Sequence, residues 1–358
     1  VSAAPDASAE VVTATALGPW PGIDMPEAVM VALGELGDPH LPLLPELPDR
    51  GVGTDAVGRT AALLVELPVD VQPFGWRLVE RPGADHRRAV SMLASDVNVL
   101  ADVAGTRESV PPAVKIQVLG PLTLAASVYL HYGERALLDH GARRDVAESL
   151  AAGLAGHVAM VAQAVPGAAI TVQLDETDIA RVLDGAIPTA SGYRTLRSVP
   201  KDEVRGAWQL LVRAAHDAGA TDVVLNLGTG SLPGSGREDS SGWRTGLELA
   251  VAGDAEAVAV PLARLDPRHW EVLAGALESG TRLWAGVVPA TAALPQVSAL
   301  VERVMRPWNG IGLPAGSLAG LRLTPEAGLA GLSPAAARAV LARTTDTARA
   351  LNDVRTGD

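Results

Sequence analysis

A chain of 358 residues is long enough for one large domain or two ordinary ones, and 48% apolar residues supply a large core. The net charge of −12, with no Lys/Arg run standing out from the acidic background, argues against a nucleic-acid partner, which needs a basic face. The absence of cysteine excludes disulfides, thiolate–zinc sites and cysteine nucleophiles together.

The opening "VSAAPDASAE" has neither the basic start nor the apolar core of a signal peptide and reads as a short disordered tail over residues 1–10. No uncharged apolar stretch approaches the ~18 residues of a membrane span, so no membrane partner is expected and the expected address is cytoplasmic. Lys occurs only as Lys115 and Lys201. With abundant Arg, Ala, Gly and Val, that bias reads as genome composition rather than function.

Apolar, β-rich runs follow at "VVTATAL" (11–17), "HLPLL" (40–44), "AVKIQVL" (113–119), "AITVQL" (169–174), "DVVLNL" (222–227), "AVAVPL" (257–262), "RLWAGVV" (282–288) and "GLRL" (320–323). Most are continuously apolar rather than alternating, as expected of strands covered on both faces of a parallel sheet. Helical patterns separate them. In the segment 143–165, Val146, Leu150, Leu154, Val158, Val161 and Val165 recur at steps of three or four and make one apolar stripe. Ser333 followed by Pro334 is a helix start, with Ser as N-cap and Pro at the first helical position. Eight β/α units over 11–358 predict a single (β/α)₈ TIM barrel, with a doubly wound open sheet as the alternative. A helix at about 85–104 is expected as an elaboration of the connection after the second strand.

In such a barrel chemistry gathers at the C-terminal strand ends. Those ends read "GPWPG" (18–22), "PELPDRGVGTD" (45–55), "GPLT" (120–123), "QLDET" (173–177), "LNLGTG" (225–230) and "TPEAGLAG" (324–331). They place Glu46, Asp49, Arg50 and Asp55 after the second strand, and Gln173, Asp175 and Glu176 at the fourth. Asp24 is positioned to cap the first helix. No Lys lies near an expected strand exit. "GTGSLPGSG" (228–236) lacks the Gly-Lys-Ser/Thr of a phosphate loop and reads as a βα loop able to act as a lid. The seven histidines show no pair with metal-ligand spacing.

The order of these motifs resembles the catalytic barrel of cobalamin-independent methionine synthase over roughly 11–352. The resemblance implies methyl transfer from a folate-type donor to a homocysteine thiol made nucleophilic by zinc. It places the metal ligands at a His and a Cys two apart on the fifth strand, a Glu on the sixth and a Cys after the eighth. This sequence has Asn226, Gly228, Pro261 and Ala327 there. The nearest acid on the sixth strand, Glu256, is at its wrong end, so zinc-dependent activation is not expected. The resemblance also implies that Glu46 and Asp175 hold a substrate amino group, with Gly18 beside the amino-acid carboxylate; two residues before Asp175 on the same strand face, Gln173 is expected to line the interior beneath it. Pro19 follows Gly18 where the family has Ser, and Pro donates no hydrogen bond. The bland readings are that Glu46 faces solvent and Asp175 caps the next helix. Two functions remain open: a methyltransferase-like enzyme with altered chemistry, or a catalytically lapsed barrel binding a small molecule, an amino acid or a pterin, or a protein partner.

Overall fold

The computed structural model describes residues 11–228 and 241–357. The expected tail over 1–10 and most of the "GTGSLPGSG" loop lie outside them.

In chain order the elements are β1 (Thr13–Ala14), α1 (Met25–Glu35), α2 (Ala56–Ala61), β2 (Val69–Gln72), β3 (Gly75–Leu78), α3 (Ala84–Gly105), β4 (Ala113–Leu119), α4 (Pro121–Ser127), α5 (His140–Ala164) and β5 (Ala169–Asp175). There follow α6 (Ile179–Leu183), α7 (Lys201–Asp217), β6 (Asp222–Asn226), α8 (Ser241–Val251), β7 (Ala257–Pro261), α9 (Pro267–Glu278), β8 (Arg282–Val288), α10 (Val297–Gly310), β9 (Arg322–Pro325) and α11 (Pro334–Thr356). The helix starts follow local chemistry. Asp24 accepts from the Glu27 amide at the start of α1, and Ser333 accepts from Ala336 with Pro334 in the first turn of α11. The stripe read from 143–165 is buried along α5 through Val146, Leu150, Leu154, Val158 and Val161.

Seven strands form one curled, all-parallel sheet in the order β1-β9-β8-β7-β6-β5-β4. The α3 helix falls where the elaboration after the second strand was expected. It is preceded by an unanticipated antiparallel hairpin, β2–β3.

The expected strand at 40–44 is the departure. It pairs through isolated bridges rather than as a regular strand, because Pro39, Pro42 and Pro45 remove the donors a ladder needs. The remaining donors are still used. Leu41 N donates to Ala14 O at 2.9 Å on the β1 edge, and Leu44 N donates to Lys115 O at 2.9 Å on the β4 edge. Lys115 N returns a bond to Pro42 O at 2.8 Å. Segment 41–46 therefore touches both edges of the seven-stranded sheet.

The main core lies between the sheet and its helices, and Trp308 on α10 is among its largest fully buried side chains. A second, small apolar cluster of Leu41, Val224, Ala257, Ala259 and Trp284 fills the inside of the curl. Arg322 packs on it, its guanidinium 5.0 Å from the Trp284 ring centre and its Nε donating to Thr13 Oγ1 at 2.9 Å. Strand residues two apart share a face. The residues above this plug at the C-terminal strand ends therefore line an open mouth.

Candidate functional site

A cavity of about 280 Å³ occupies that mouth, lined among others by Glu46, Asp175, Asn226, Pro261, Glu326 and Ala327. It brings together both acids singled out in the sequence and all four positions, with Gly228, where the resemblance places metal ligands.

The β4 and β5 strands supply a polar relay beneath it. Lys115 and Gln117 share one face of β4, and Gln173 and Asp175 one face of β5. The Lys115 ammonium donates to Gln117 Oε1 at 3.0 Å and to Gln173 Oε1 at 2.8 Å. With its oxygen turned to the ammonium, Gln173 has its Nε2 free to donate to Asp175 Oδ1 at 2.8 Å and to Leu17 O at 2.7 Å. Asn226 Nδ2 donates to the same Oδ1 at 2.6 Å. Asp175 Oδ2 accepts no hydrogen bond from a described residue, and Asp175 lines the cavity.

Glu46 is buried, not solvent-facing. Its backbone N donates to Gly18 O at 3.1 Å, which places Gly18 at the edge of the mouth beside Pro19. Its carboxylate lies 4.0 Å from Arg59 Nε, and Arg59 is bound in turn to Asp96. Arg50 grips the same Asp96 with two bonds of 2.7 Å. Of the other acids read near the mouth, Asp55 caps α2 and Asp49 accepts from Gly22 N at 3.2 Å.

Burial sets the protonation of the group. It raises Asp175 to about 7, reinforced by the Glu46 charge and opposed by Lys115, Asn226 and Gln173. Burial also raises Glu46, against the pull of Arg59 and Gln117. Burial lowers Lys115 to about 7, against Asp175 and Glu46. Buried Lys115 and Asp175 thus share a proton close to neutrality, with Glu46 raised by burial beside them.

The three acids at the exit of β5, Asp175, Glu176 and Asp178, separate. Asp175 does not cap the following helix, contrary to the bland reading. Glu176 turns away from the mouth and accepts from Leu122 N, Thr123 N, Thr123 Oγ1 and Trp208 Nε1 at 2.7–3.1 Å, tying down the start of α4. Asp178 pairs with Arg181 at 2.8 Å. No lysine stands at a strand exit, as expected, but Lys115, set in mid-strand, is one hydrogen-bonded amide away from Asp175. Its signal was present in "AVKIQVL", where Lys and Gln two apart interrupt an apolar strand on one face.

The four candidate metal positions do not fit zinc. Asn226 uses its amide nitrogen on Asp175 and its oxygen on Gly228 N at 3.1 Å. Pro261 and Ala327 offer no side-chain donor atom. At Gly228 the backbone φ is 59°, a left-handed conformation, and an added Cβ would meet Thr177 at 3.1 Å. Among the described residues no three His, Cys, Asp or Glu side chains come together as a metal site. No helix of the described chain is long and apolar enough to cross a membrane.

Among solved structures, the chain is similar to a B12-independent methionine synthase from Shewanella sp. W3-18-1, determined in complex with selenomethionine. The TM-score is 0.51 at 12% identity, over 79% of this chain and 72% of that one. At that identity the likeness speaks for the fold alone, a distant TIM-barrel relationship. No protein-family model matches the sequence, and no curated protein matches it by sequence.

Proposed function

We propose that this chain is a methionine-synthase-like barrel whose mouth holds a small amine-bearing ligand without the zinc chemistry of that family. In this reading segment 41–46 is the eighth strand that closes the barrel. Asp175 and Glu46 form the amine subsite, Gln173 orients Asp175 from below, and Gly18 borders the site. The observation that carries it is one cavity lined by both buried acids, with Asp175 Oδ2 accepting no hydrogen bond from a described residue.

The physical logic is charge completion. Asp175 is raised to about 7 because burial penalises its anion. An ammonium entering the cavity offsets that penalty and supplies a donor for Oδ2. A primary amine stays protonated to a pKa of roughly 10, so affinity is governed by Asp175 and rises as pH climbs through its value. Leu17, Leu119 and Val260 in the wall suit an aliphatic chain.

Methyl transfer from a folate-type donor to a thiol is not part of this reading. A free thiol of pKa ~8.5 is only a few per cent ionised at neutral pH, and the residues at the metal positions do not activate it. A second reading keeps catalysis. A carboxyl held at about 7 and backed by the Lys115–Gln173 relay is suited to general-base work, a contribution of ~10²–10⁴-fold.

Calorimetric titration with n-butylamine tests the proposal. The parent protein is expected to bind more tightly at pH 8 than at pH 6, and Asp175→Asn to lose at least about tenfold in affinity together with the pH dependence. No binding by the parent, or equal binding by Asp175→Asn, refutes the amine site. Homocysteine with methyl-folate and added zinc is expected to give no sustained methionine formation. Turnover abolished by Asp175→Asn favours the catalytic reading.

A further inference from the structure

The mouth cavity continues past Glu326. A second cavity of about 370 Å³ shares Gly286 and Glu326 with the first and extends along Leu262 and Val287 to Arg303. Gly286 lines both cavities where they meet, and a Cβ there would meet Pro261 Cα at 3.0 Å and Glu326 Cα at 3.3 Å, so a larger residue would force the packed strand ends apart.

The two chambers offer opposite charges to a ligand. The inner one presents Asp175 and Glu46. The outer one presents Arg303, carried on α10. Arg303 Nη1 donates to Val287 O and to Glu326 Oε1, both at 3.3 Å. Both contacts are long, and both use the same nitrogen. The Nε–Nη2 edge, whose parallel N–H groups match a carboxylate, makes no hydrogen bond to a described residue. Glu326, half-buried, is the only carboxylate facing this guanidinium among the residues of the outer cavity, and burial makes it a reluctant anion.

We propose that the two chambers form one site for a two-ended molecule, an ω-amino carboxylate whose ammonium sits at Asp175 and Glu46 and whose carboxylate reaches Arg303. The proposal rests on the amine reading of the inner chamber and adds the class of the far end. The apolar walls between the two ends, including Val260, Pro261 and Leu262, accommodate the methylene chain. Discrimination comes from the Arg303 edge, which an alkylamine leaves solvated and a carboxylate engages with two charge-assisted bonds.

The experiment compares γ-aminobutyrate, ε-aminocaproate and ω-aminocaprylate with butylamine, hexylamine and octylamine by calorimetry. At one chain length the amino acid is expected to bind at least about tenfold more tightly than the amine of matched length. Arg303→Gln removes that advantage while leaving alkylamine binding within about twofold. Glu326→Gln, which frees the guanidinium of its competitor, increases it. Arg303→Lys, which keeps charge without the fork, retains only part of it and answers for any effect of Arg303→Gln on folding. Equal affinity for amine and amino acid at every length, or an advantage untouched by the Arg303 and Glu326 variants, overturns the two-ended site and leaves the amine site standing. Absence of binding by every probe brings down both.

Discussion

The two flanks of the mouth are built on different plans. On the β4–β6 side, Lys115, Gln117, Gln173, Asp175 and Asn226 form a continuous hydrogen-bonded group in which nearly every polar side-chain atom has at least one partner. On the β7–β9 side the strand ends carry Ala259, Pro261, Gly286, Ala327 and Gly328, side chains with almost nothing to bond. The first flank can orient and charge a ligand through its strand residues; on the second the strand ends mainly shape the space, and the charged groups, Glu326 and Arg303, stand beyond them. Metal-ligand positions implied by the resemblance fall on both flanks, and neither supplies a ligand. On the polar flank Asn226 is committed to Asp175, and on the small flank Pro261 and Ala327 carry no side-chain donor atom.

The largest effect is expected from cutting the polar relay. Gln173→Leu takes one acceptor from the Lys115 ammonium, one donor from Asp175 and the donor to Leu17 O, leaving buried charges short of partners. A loss of about 3–5 kcal/mol is expected, read as a lower urea midpoint with an unchanged slope. A loss below about 1 kcal/mol would mean that water replaces the amide and that the relay is not a rigid unit.

Next in size is the pH dependence of stability. Asp175 is raised from 3.8 to about 7, so between those values the folded state holds a proton the unfolded chain has released, and stability falls as pH rises. Lys115 is lowered from 10.5 to about 7, so above 7 the unfolded chain holds the extra proton, and stability rises with pH up to about 10.5. The pair thus contributes least near neutrality. Buried His40 and His157, each lowered to about 4, act with the opposite sign to Asp175 between 4 and 6.5. The measurement is therefore a comparison with variants: Lys115→Met is expected to lose the rise in melting temperature between pH 7 and 10. Asp175→Asn should lose part of the fall between pH 4 and 7. Superimposable profiles for parent and variants would show that the two groups titrate normally.

Smaller still is the effect of Gly228→Ala, expected to cost about 1–3 kcal/mol because φ is 59° and Thr177 stands 3.1 Å from the new carbon. Smallest is Ala327→Ser on the opposite flank, which lines the cavity with room to spare and is expected to change stability by no more than about 0.5 kcal/mol. If Ala327→Ser proves the more damaging of the two, the small flank is packed against something other than an open cavity.

Much of the architecture was legible because it is written in local chemistry. The apolar runs at 113–119, 169–174, 222–227, 257–262 and 282–288 match β4–β8, and the caps at Asp24 and Ser333 act as their types require. Segment 40–44 was misread as a regular strand because its apolar character outweighed three prolines whose missing donors decide how it can pair. Within the site, Glu46 and Asp175 could be picked out as strand-end acids, but their burial and proximity to Lys115 could not.

The sequence by itself settled composition, the alternation of strands and helices, and which residue types stand at the strand ends, since periodicity and capping act within a few positions along the chain. Tertiary structure decided what those residues do. The β4–β5 register sets the lysine beneath the aspartate, the packing of α4 receives Glu176 at its N-terminus, and the strand ends of β7–β9 join the mouth to the cavity of Arg303. Burial, charge coupling and cavity shape depend on residues 50 to 300 positions apart, and no local pattern encodes those distances.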